Sequence, residues 1–197
     1  FPDNDWPGAV GIFEQRLVFA STLKRPQTIW FSRAGDYVSF SYSTPVKADD
    51  AIEGTIASLE VSRVRWMVPL RSLVLGTSSI EWEISEREAG GFSGTNMKVK
   101  PQSYRGSADI RAVVVGSSIL FVARTGNELC EVKYDFSSDS YVVASRSILA
   151  EHLFEEAEIV QMTYQPSPDS IVWTVLDNGT LLGFTCKAEH EVFAWHK

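Results

Sequence analysis

Apolar runs of four to seven residues recur along the chain, rich in Val, Ile, Phe and Trp and separated by Gly, Ser, Asp or Asn. Runs this short, bounded by turn formers, predict β-strands rather than helices. Arg16-Leu17-Val18-Phe19-Ala20, Leu73-Val74-Leu75, Ile119-Leu120-Phe121-Val122 and Ile171-Val172-Trp173-Thr174-Val175 are the strongest examples. Each follows another apolar stretch and a polar turn, and each leads through a second turn into a third strand. The four preceding stretches begin at Val10, Val64, Ala112 and Ile159-Val160. Their third partners are Thr28-Ile29-Trp30-Phe31, Ile80-Glu81-Trp82-Glu83-Ile84, Leu129-Cys130-Glu131-Val132-Lys133-Tyr134 and Leu181-Leu182-Gly183-Phe184-Thr185.

Counted from Val10, Val64, Ala112 and Val160, the units start 54, 48 and 48 residues apart. A repeat of about 40–50 residues with three or four strands per unit is the pattern of propeller blades. The expectation is an all-β, β-propeller-like chain of about four consecutive blades of antiparallel strands, at 8–60, 61–108, 109–157 and 158–197. Asp177-Asn178-Gly179 and Thr125-Gly126-Asn127 lie between apolar runs, where Asn and Gly tolerate the positive φ of a tight hairpin. Helical spacing is confined to 148–158, where Leu149, Leu153 and Phe154 allow one short turn.

Composition narrows the chemistry. With 197 residues, 44% of them hydrophobic, the chain can bury a substantial core. It has no run of about 18 uninterrupted apolar residues, so no membrane span is expected. The opening Phe1-Pro2-Asp3-Asn4-Asp5 has neither a targeting pattern nor an initiating Met, and reads as part of a longer polypeptide, a fragment of a larger propeller. A net charge of −7 opposes tight binding to phosphate backbones. Cys130 and Cys186 are too few for a disulfide framework, lack metal-ligand spacing and read as buried thiols.

The candidates for catalysis or metal binding are weak. Glu81 and Glu83 resemble a glycosidase pair, but alternation sets them on a solvated face opposite Trp82 and Ile84. Asp49, Asp50 and Glu53, like Asp135 and Asp139, read as acidic loops without calcium-loop spacing. His152, His190 and His196 are scattered. No catalytic, cofactor or metal residue is therefore assigned, and no cofactor is expected. Most of the six tryptophans occupy strand positions and read as core; Trp6, beside Pro7 and Gly8, reads as lying outside it. Lys98, Lys100 and Arg105, interleaved with Tyr104, form a loop-like basic segment. With Trp6 they are the candidate interface.

Several segments taken in order resemble one family. "RLVFAST…RPQTIWFSRAGDYVSF", "DDAI" at 49–52, "RWMVPLRSLVLGTSSIEWEI", "KVKPQSYRGS", "AEHLFE" and "PDSIVWTVLDNGTLLGFTC…EVFAWHK" are similar to tail proteins of phages and prophages. These are the podovirus tail nozzle, or tail tubular protein B, and related packaged-DNA stabilisation proteins, all on longer chains. The resemblance implies a non-catalytic structural part of a virion tail, made in the bacterial cytoplasm. It also implies self-association in a ring, contact with neighbouring tail proteins, and passage of DNA without sequence-specific binding. Two other readings stay open: a propeller module binding a glycan or receptor through exposed aromatics, and a glycan-cleaving enzyme using Glu81 and Glu83.

Overall fold

The computed structural model describes residues 4–58 and 60–197. Phe1, Pro2 and Asp3, on which the reading of the chain's start partly rests, lie outside them. Among the described residues sixteen strands form four antiparallel sheets of four, and none closes into a barrel. In each sheet the strands lie side by side in chain order. The first contains β1 (Ala9–Phe13), β2 (Arg16–Ala20), β3 (Thr28–Phe31) and β4 (Ile52–Thr55). The second contains β5 (Val64–Pro69), β6 (Leu73–Thr77), β7 (Glu81–Glu86) and β8 (Met97–Ser103). β9 (Val113–Val115), β10 (Ser118–Val122), β11 (Leu129–Asp135) and β12 (Ser140–Ser145) make the third. β13 (Ile159–Gln165), β14 (Ile171–Leu176), β15 (Leu181–Lys187) and β16 (Val192–His196) make the fourth.

The chain divides into two compact units, one ending at Tyr104 and the other spanning Arg105–Lys197. Each holds two sheets, and the first strands of those sheets lie next to each other: β1 beside β5 in one unit, β9 beside β13 in the other. The core of the first unit gathers Val18, Phe31, Leu73, Leu75 and Ile84 from both of its sheets, and the second gathers Leu120, Leu129, Val172, Leu182 and Phe184. β6 and β10 are buried at every position. This explains their largely apolar sequence, since a strand covered on both faces has no solvated side. Gly76 on β6 is required by packing: a Cβ there would fall 2.1 Å from the Trp66 ring.

The turns follow local chemistry. Glu14 and Gln15 join β1 to β2 with φ of 46° and 56°, both left-handed. Two successive positive φ values give the turn whose twist matches a two-residue hairpin, here on residues that prefer other conformations. At Asp177-Asn178-Gly179 only Gly179 is left-handed, at 82°, and its amide donates to the Leu176 carbonyl at 2.9 Å. Gly126 repeats this, with φ of 80° and its amide bonded to Ala123 at 2.9 Å. Both hairpins thus close through glycine; the asparagines supply no positive φ.

Two expectations are corrected, and the one short turn expected in 148–158 forms. The basic segment expected as a loop is in fact β8, with Lys98 opposite Ser85 and Lys100 opposite Glu83. Pro101 is tolerated there because β8 is an outer strand, with one side free of the ladder. Glu81 does not face solvent: it and Trp82 are both buried, because the start of β7 is covered on both faces. In 148–158 a single 3-10 turn forms at Glu151–Leu153; Phe154 is buried and Leu149 stands out into water. Among the described residues no helix is long and apolar enough to cross a membrane.

Candidate interaction site

The most unusual side chain in the first unit is Arg16. It occupies the core-facing side of β2 with Val18 and Ala20 and is 1% exposed. Its Nη1 donates to the carbonyls of Ser32 at 2.7 Å and Asp50 at 2.6 Å, and its Nη2 to Ala48 at 2.8 Å. Longer contacts of 3.4 Å reach the Asp49 and Phe92 carbonyls. A guanidinium suits this position because its planar fork offers five donors at once. Burial pushes its pKa down, and the nearby carboxylates of Asp49 and Asp50 oppose that shift.

Apart from Phe92, which lies between β7 and β8, the carbonyls it gathers belong to the two ends of the long connection between β3 and β4, residues 32–51. The loop is closed further by Ala34 N–H to Asp49 O at 3.0 Å, Arg33 N–H to Ser39 O at 2.9 Å and Gly35 N–H to Gln15 O at 2.8 Å. Asp50, 1% exposed, takes the Ser43 and Lys47 amides and the Ser43 hydroxyl, each at 2.8 Å. Arg33 bonds Asp49 at 2.7 Å and approaches Asp50 at 3.4 Å. Phe40 stacks on Phe19 of β2 with centroids 5.6 Å apart. A segment of this length without regular structure is uncommon in a compact unit unless it has a task. Its order comes from these polar anchors.

The Lys47 amide, then the Ser43 amide and hydroxyl and the Arg33 charge, hold the Asp50 carboxyl down at about 2 against the opposing effect of burial. The folded value lies below the ordinary one. Its stabilising contribution is therefore complete above about pH 4 and is lost as the pH falls through about 2. Asp50→Asn is expected to destabilise the chain at neutral pH and to flatten its acid arm in that window. Urea midpoints of both proteins along a pH series check this; parallel acid arms would refute it.

Pinned in this way, the loop holds Tyr37, Val38, Tyr42 and Val46 in water, with exposures of 46, 91, 56 and 71%. None of these was picked out from the sequence. Lys98 and Lys100 lie half-buried on β8. Tyr104 is exposed, and Arg105, opening the second unit, pairs with Glu128 at 2.5 Å. Trp6 is 63% exposed and lies outside the core, as its Pro-Gly context implies.

The acidic candidates have structural partners. Glu53 pairs with Arg25 and accepts from the Trp30 indole at 2.9 Å. Asp135 accepts the Ser137 amide and the Ser137 and Ser138 hydroxyls, while Tyr134 donates to Asp139 at 2.5 Å, closing the β11–β12 hairpin. Glu83 accepts from Gln102 at 2.9 Å. Among the described residues no group of three or more His, Cys, Asp or Glu is placed to hold a metal ion. Cys130 and Cys186 are buried and unbridged.

In the second unit a cleft of about 770 Å³ runs between the end of β12 with the segment after it and β16. Ile148 and Leu149, 64 and 94% exposed, line it together with Phe193, Trp195, Arg146, Glu191 and Lys197. Trp195 is fixed edge-on to Phe154 at 4.9 Å, and its indole N–H donates to the Arg146 carbonyl at 2.8 Å. The two units thus each expose apolar side chains on a rigid support. No family model and no curated protein matches the chain.

Proposed function

We propose that the chain is a non-catalytic structural piece of a bacteriophage tail of the nozzle or tail-tubular type, built from consecutive β-propeller blades. The observation that carries the propeller reading is the fourfold recurrence of one four-stranded meander, with first strands adjacent within each unit. Blades pack so that their first strands line a shared axis and their fourth strands lie outside. The ordered likeness of the chain's segments to tail proteins supplies the assignment to a virion. In that setting the protein contacts copies of itself and neighbouring tail proteins, and helps retain packaged DNA and form its exit channel. A net charge of −7 suits a conduit that lets DNA pass without gripping it.

The test is to locate the whole protein in purified particles by peptide mass spectrometry and antibody-labelled electron microscopy of the tail. The expected result is a fixed number of copies at the tail, and particles that lose their DNA when the protein is deleted. Its absence from particles, with normal infectivity after deletion, overturns the reading.

A further inference from the structure

The fourth strand of each sheet has one edge outside the ladder, a row of main-chain donors and acceptors onto which another strand can add. Three of these four edges are guarded. β4 has only four residues and carries Glu53, β8 carries Lys98, Lys100 and Pro101, and β16 ends on His196 beside Lys197. β12, Ser-Tyr-Val-Val-Ala-Ser, has six residues with no charge, histidine or proline, and pairs with β11 in one register from end to end. The Arg146 amide donates to the Leu129 carbonyl at 2.8 Å, so Ala144 and Val142, at alternate positions before it, also turn their main-chain groups to β11. Val143, between them, turns its N–H and C=O outward.

The apolar side chains around this edge are spaced symmetrically about Val143. Phe136, seven positions before it, is 85% exposed, and Ile148 and Leu149, five and six positions after it, are 64 and 94% exposed. Phe136 and Leu149 are the most exposed large apolar side chains described in the second unit. Phe136 stands on an ordered hairpin tip, where Asp135 accepts the Ser137 and Ser138 hydroxyls and Tyr134 donates to Asp139. We propose that β12 of one copy adds antiparallel to β12 of a second copy about a two-fold axis at Val143, continuing the ladder of the third sheet. Such a pair sets each residue level with the one equally far beyond the axis in the other chain, so Phe136 of each copy arrives where Ile148 and Leu149 of the other stand. A strand from another protein satisfies the edge alone; a second copy also supplies apolar partners at both ends. A two-fold pair sets its central residues against their own copies, which the lysines of β8 would resist and uncharged β12 accepts. Asp139 comes level with Ser147 and Arg146 with Ser140, while Asp135 and Glu151 approach only at the far ends, eight positions from Val143. The contact does not depend on the tail reading.

Sedimentation velocity of the full chain over a dilution series tests this, using Val142→Lys and Val143→Pro. Val142 is 48% exposed, and proline at 143 removes an amide that the ladder to β11 does not use, so both variants are expected to fold, which circular dichroism melts check. If the proline variant melts early, Val142→Lys carries the test alone. The wild type is expected to form a two-copy species and nothing larger, and each variant to raise its Kd roughly tenfold or more. The register has its own test. Phe136→Cys and Leu149→Cys, mixed and treated with a short bismaleimide, are expected to give a crosslinked pair that neither gives alone; Cys130 and Cys186 are buried. A wild type that stays monomeric, association that Val142→Lys leaves unchanged, growth beyond two copies, or equal crosslinking of the single variants overturns the proposal. None of these results touches the tail assignment, which the content of the particles decides.

Discussion

Arg16→Met is expected to lower the stability of the chain by about 3–5 kcal/mol. Methionine replaces most of the buried stem but none of the donors, so the carbonyls of Ser32, Ala48 and Asp50 lose their short bonds together. Each buried acceptor left unsatisfied costs about 1–3 kcal/mol, less whatever water recovers as the loop loosens. Against a typical total of about 5–15 kcal/mol, that brings the protein near the edge of folding. Arg16→Lys should recover only part of the loss, because an ammonium group cannot span the three carbonyls as a planar fork does. Burial depresses the guanidinium's pKa, but from a value so far above neutrality that the charge stays. Denaturant titration gives the size of the effect, and hydrogen exchange at the amides of Ala34 and Ala51 shows whether the loop is released first. A loss under about 1 kcal/mol with those amides still protected would mean that the clamp contributes little.

The contrast between what the sequence reveals and what it hides follows from how each residue is covered. The first three strands of every sheet are legible because burial demands continuous or alternating apolar residues, as in β6 and β14. The fourth strands of the first two sheets are fainter. β4 reads Ile-Glu-Gly-Thr and β8 Met-Lys-Val-Lys-Pro-Gln-Ser, since an outer strand pairs on one side only. Lysines and proline there also discourage stray pairing between sheet edges. Arg16 is hidden for the opposite reason. In "RLVFA" the alternation favours Leu17 and Phe19 as core, yet Val18 and Ala20 face inward, and the loop covers the other side by setting Phe40 on Phe19. The partners of the loop's acids match no motif spacing either: Asp50 is held by residues three and seven positions away, and Asp49 by Arg33, sixteen positions away. The candidate site thus depends on a loop fold that periodicity does not encode.

The second large effect is expected at Arg146, which follows β12 and lines the cleft. Its Nε donates to a carboxylate oxygen of Glu131 at 2.5 Å and its Nη2 reaches the same oxygen. Glu131 is 5% exposed, and the guanidinium lies 4.0 Å from the centroid of the Phe193 ring. Arg146→Met strands a buried carboxylate and gives up the ring contact, and should cost about 3 kcal/mol or somewhat more. The pair itself need not be strongly stabilising, because burying both charges carries its own desolvation cost. Arg146→Met combined with Glu131→Met should therefore recover much of the loss, leaving a coupling of about 2 kcal/mol in a double-mutant cycle. Cys186 reports independently on the same contact. Burial first, and then the Glu131 charge, push its thiol up, and Arg146 opposes them. Removing Arg146 alone should raise the thiol further and slow its alkylation at mildly alkaline pH, read by mass spectrometry of the Cys186 peptide; the double replacement should reverse much of that slowing. Equal destabilisation by the single and double variants, with unchanged alkylation, would show that Arg146 acts through packing on Phe193 rather than through its charge.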